Sequence, residues 1–122
     1  MNRTFLLIGA LGGAVGVSLG AFGAHGLRGR VSPEMLTVFE TGVRYHLYHA
    51  LALVAIGSIM DRLEGGRLIV AAGWLFTAGI VLFSGSLYLL ALTGVTRLGA
   101  VTPVGGVAFL LGWACLAVAA LY

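Results

Sequence analysis

The sequence predicts an all-α membrane protein: four transmembrane helices in an up-down bundle, with a short amphipathic interfacial helix between helices one and two. Three observations carry that expectation. Of 122 residues, 60% are apolar and only 9% are charged, against about 45–50% and 25% in soluble domains. The mean hydropathy is +1.07, more apolar surface than so short a chain can bury from water. The apolar residues also fall into four runs, each close to the roughly 20 residues that cross a bilayer core. Residues 1–122 are therefore expected to form a single transmembrane domain, with lipid as its second solvent.

The first run, FLLIGALGGAVGVSLGAFGA, covers 5–24. Following Arg3 it has the outline of a signal peptide, but it exceeds the ~7–15 apolar residues of such a segment and reads as a retained span. It carries Gly12, Gly16 and Gly20 four apart, continued by Ala24. In lipid, small residues at this spacing let helix backbones approach. Both packing within the bundle and a self-association seam are open uses of that row.

Next, Ser32-Pro33-Glu34 is a helix start: a capping hydroxyl, a proline at the first helical position, then an acid near the positive end of the dipole. Met35, Val38 and Phe39 then recur opposite Glu34, Thr37 and Thr41, which suggests an interfacial helix over about 33–42, either separate from helix two or continuous with it and bent at Gly42. Helix two is expected at 43–60, and the charged, glycine-bearing DRLEGGR (61–67) turns it back into helix three at 68–92. That third run is the longest and is expected to tilt. In the following connection Thr102 precedes Pro103, a cap-and-proline pair that opens helix four at 103–121.

The net charge of +3 comes from seven arginines without a lysine. They are scattered, so no nucleic-acid footprint forms, and membrane lipids are the natural partners. Arg3, Arg62 and Arg67 fall on one side and Arg28, Arg30 and Arg97 on the other, joined by Arg44 if it lies outside the core, so the positive-inside rule does not orient the chain. The single Cys115 lies in an apolar run and cannot form an internal disulfide.

Chemistry-bearing residues concentrate in TGVRYHLYHALAL (41–53). His46 and His49 share a helix face, and with His25 they are weak candidates for a metal site, though no acid or thiol completes a ligand set. Glu40 and Arg44 have the acid-first i, i+4 spacing of a helical ion pair. Tyr45 and Tyr48 suit an interfacial aromatic belt, and the interface is the expected home of this stretch. Helix three adds a hydroxyl stripe of Thr77, Ser84 and Tyr88, with Ser86 beside it. No triad, phosphate loop, dinucleotide fingerprint or paired-carboxylate site is present, and no cofactor is implied.

GAFGAHGL (20–27), TGVRYHLYHALAL (41–53), LFSGSLYLLAL (82–92) and LGAVTPVGG (98–106) closely resemble the bacterial YgdD-like family, a domain of unknown function that includes the eukaryotic transmembrane protein 256. The resemblance runs nearly end to end. It implies a small four-helix inner-membrane protein and carries no activity with it. Family members commonly end in a basic tail, which implies that both termini are cytoplasmic; this sequence ends Leu121-Tyr122 instead.

In an up-down order, His25, the 41–49 stretch, the 98–106 loop and the far end of helix three belong to one side of the membrane. His25, Glu40, Arg44, Tyr45, His46, His49, Ser84, Ser86 and Tyr88 are thus the candidate polar cluster, forming either a pocket or a cap on one end of the bundle. Three functions follow. First comes a structural or accessory membrane protein, non-enzymatic, forming a homo-oligomer or joining a membrane-protein partner. Second comes a protein that binds or transports a small ligand, lipid or quinone at that face. A histidine-metal enzyme or redox subunit ranks last.

Overall fold

The computed structural model describes residues 3–122. They form four helical rods and, among the described residues, no β-strand. The first rod is α1 (Arg3–Phe22), prolonged by one π-helical turn at Gly23–Leu27. A tight turn through Gly29, whose φ of 84° suits glycine, leads to α2 (Pro33–Ile59). The third rod is α3 (Gly66–Gly79) and α4 (Gly85–Thr93), joined without a break by a π-helical turn at Ile80–Ser84. It stops at Gly94, whose left-handed φ of 71° lets its N–H return to the Leu90 carbonyl at 2.8 Å. A 3₁₀ segment, Thr96–Ala100, runs into α5 (Thr102–Ala119).

Three rods, Arg3–Leu27, Gly66–Thr93 and Thr96–Ala119, are long and apolar enough to cross a membrane. The α2 rod matches them in length, with 27 residues, but the charges and histidines along it lower its apolar content.

Each rod runs antiparallel to the one before it. Gly9 of α1 abuts Ala50 and Val54 of α2, while Gly23, at the other end, abuts Phe39. Ser84 meets Gly42, and His49 meets Phe76, across the α2–α3/α4 contact. On α5, Gly105 abuts Phe83 and Gly112 abuts Phe76. One core cluster joins Phe5, Leu53, Ile56, Ile69, Phe76 and Phe109; a second, smaller one joins Leu27, Phe39, Val43 and Ala91.

Two expectations need correction. The interfacial helix over 33–42 is not a separate element, because its residues are the first turns of the continuous α2. The predicted Ser32 cap does hold, with its hydroxyl accepting from the Met35 N–H at 3.1 Å. Once capped there, the chain meets no breaker before Ile59, and Gly42 is tolerated inside the helix because Tyr88 and Leu87 fill the space beside it. The second correction concerns Thr102, which is not a cap: the 3₁₀ segment leads directly into α5, Val101 takes the cap position, and Thr102 is the first helical residue.

Candidate functional site

The early start of α2 moves the motif. His46 becomes the fourteenth of the 27 residues of α2, so the stretch expected at a helix end sits at mid-height of the bundle. There the two histidines turn to different neighbours.

His46 is 5% exposed and lies between α1 and α4. Its Nδ1 is 2.8 Å from the Tyr88 hydroxyl. Its Nε2 side faces the glycine row of α1, beside Gly12. One turn before Tyr88, the buried Ser84 hydroxyl donates to the Gly42 carbonyl at 2.7 Å. The π-helical turn ending at Ser84 shifts the helical register by about one residue, which separates the expected stripe: Ser84 and Tyr88 face α2, whereas Thr77 bonds its own Gly73 carbonyl at 2.8 Å.

His49 is 4% exposed and faces α3 and α5. Its Nδ1 lies 2.7 Å from the Tyr45 carbonyl, an acceptor only, so Nδ1 holds the proton. Its Nε2 then accepts from the Trp113 indole N–H at 3.0 Å. The imidazole stacks on Phe109, with centroids 3.6 Å apart and planes 8° apart, and Phe76 packs against it at 5.2 Å. The ring is thus held by two hydrogen bonds and an aromatic stack. Outside it, Tyr45, Phe83, Pro103, Gly106, Leu110 and Trp113 line an open, largely apolar groove of about 410 Å³ between α2 and α5.

Closer to the Pro33 end of the bundle, Ser86 donates to the Phe83 carbonyl at 2.9 Å and shares a 2.6 Å hydrogen bond with Thr102. The hydroxyl expected to cap α5 therefore ties α5 to α4 instead.

The remaining candidates lie elsewhere. His25 is exposed in the π-helical turn, two full turns beyond the Gly16 that touches His46, or roughly 10 Å or more along the axis. It does not join the other two histidines, and among the described residues no three His, Cys, Asp or Glu side chains gather as a metal site. Glu40 and Arg44 are exposed on the outer face of α2. Arg44 donates to Thr41 Oγ1 at 3.2 Å and makes no ion pair with Glu40, because both side chains extend outward, where nothing in the chain fixes their geometry. Gly12, Gly16 and Gly20 all face α2, so the row is taken up within the chain.

Sequence reasoning missed Trp113, Phe109 and Thr102. Trp113 did leave a signal: it lies in the middle of the 103–121 run, whereas membrane tryptophans favour the ends. A buried indole N–H needs an acceptor, and His49 supplies it.

The arrangement defines a small helical membrane protein whose buried polar side chains are hydrogen-bonded within the bundle. Among known proteins, the model for "protein of unknown function (DUF423)" matches residues 19–106, and the chain belongs to that family. It is 51% identical to the UPF0382 membrane protein YwdK of Bacillus subtilis, over 97% of this chain and 96% of that one. It is 47% identical to the UPF0382 membrane protein SAB0533 of Staphylococcus aureus, over 96% and 94%. Against SERP0230 of Staphylococcus epidermidis, a third UPF0382 membrane protein, the identity is 47% over 98% and 96%. No solved structure matches the chain. The protein is a membrane protein of unknown activity.

Proposed function

We propose that the protein is a structural or accessory protein of the bacterial inner membrane, crossing it four times as one domain and acting through its outer surface. The observation that carries this reading is the closure of the interior. Among the described residues no buried side-chain nitrogen or oxygen lacks a hydrogen-bond partner; His49 has both ring nitrogens engaged, and His46 shares its Nδ1 with Tyr88. The interior network is spent on joining helices, and the polar groups left with free donors at this level, Arg44 among them, lie on the outer face.

The packing of α2 between the apolar rods supports four crossings, and an even number would set both termini on one side, the cytoplasmic side in the orientation that the resemblance implies. Arg44 is what this reading must accommodate, since an arginine near mid-span costs about 2.5–3.5 kcal/mol on insertion scales.

Labelling with a membrane-impermeant maleimide, from either side of the membrane, tests the topology in a Cys115→Ala background. Arg30→Cys and Arg97→Cys should label from one side, Arg62→Cys from the other and Tyr48→Cys from neither. Labelling of Tyr48→Cys from the aqueous side would overturn the four-span reading.

A second reading, binding of a lipid or quinone, rests on the α2–α5 groove with its Tyr45 and Trp113 walls. Native mass spectrometry of the intact protein from nanodiscs separates the two. The structural reading expects protein masses without small-molecule adducts, whereas a stoichiometric adduct lost in Trp113→Ala would transfer the function to the groove.

A further inference from the structure

We draw no further inference here: the strongest candidate, the exposed polar face of α2 formed by Thr37, Glu40, Arg44 and Tyr48, carries nothing because nothing in the structure shows what covers it.

Discussion

The α1–α2 seam and the contacts of the third rod with α5 use glycine in different ways. Along α1–α2, glycine brings backbone to backbone: a Cβ at Gly9 would lie 2.7 Å from the Ala50 carbonyl oxygen and the Val54 nitrogen. Around α5, glycine serves both purposes: Gly105 meets the Phe83 backbone, whereas Gly79 faces the Phe109 ring and Gly112 the Phe76 ring. The first seam holds by close van der Waals approach, with His46 packed beside Gly12 and Gly16. The second holds by an aromatic stack whose polar members, His49 and Trp113, satisfy each other. One residue type therefore signals two interfaces with different tolerance, because a ring can tilt away from an added methyl group and a helix backbone cannot.

Thermal unfolding in detergent should rank the substitutions accordingly. Gly9→Ala forces two backbones apart and should lose about 2–3 kcal/mol, the upper part of the overpacking range. Gly112→Ala clashes with the Phe76 ring, whose nearest atom is at 2.6 Å, and touches the Ala72 carbonyl at an ordinary 3.4 Å; it should lose less, about 1–2 kcal/mol. Equal losses at the two sites would erase the distinction. Trp113→Phe keeps the ring but removes the donor from His49 Nε2, and a loss of about 1 kcal/mol is expected, within the range measured between membrane helices. No change there would mean that the stack alone holds α5.

A smaller effect belongs to the Ser86–Thr102 hydrogen bond. Ser86→Ala should cost about 0.6 kcal/mol, and a double-mutant cycle with Thr102→Val should assign that energy to the pair. Smallest of all is Gly85→Ala, because a Cβ there meets nothing within 4 Å. It should be neutral or slightly stabilising, as helix propensity alone dictates. A clear loss would show that proximity to the π-helical turn matters more than open space.

Much of the local structure was legible in the residues. Ser32-Pro33 marks the true start of α2, the glycine row marks a close helix contact, and DRLEGGR marks the hairpin. The Glu40–Arg44 pair was legible only as a spacing, because whether an exposed pair closes depends on what surrounds it. The 33–42 stretch misled for an identifiable reason. Its polar residues look like those of an interfacial helix, but amphipathicity reports which face is wet and says nothing about where the helix ends. Placing helix two at its apolar run rather than at its cap moved His46 and His49 from mid-height to the end.

Composition and hydropathy by themselves determined that this is a helical membrane protein with four apolar segments, because the preference for lipid sums residue by residue and needs no knowledge of neighbours. The family, too, was written in motifs that survive without a structure. Only the tertiary packing decided that His46 belongs to Gly12 and Tyr88, that His49 belongs to Trp113 and Phe109, and that His25, Glu40 and Arg44 stand apart from them. Those partners lie 34 to 64 residues away in the chain, and a hydrogen bond of about 3 Å depends on helix register to within a fraction of a turn. A single π-helical turn shifts that register, and its effect shows only when the helices are packed.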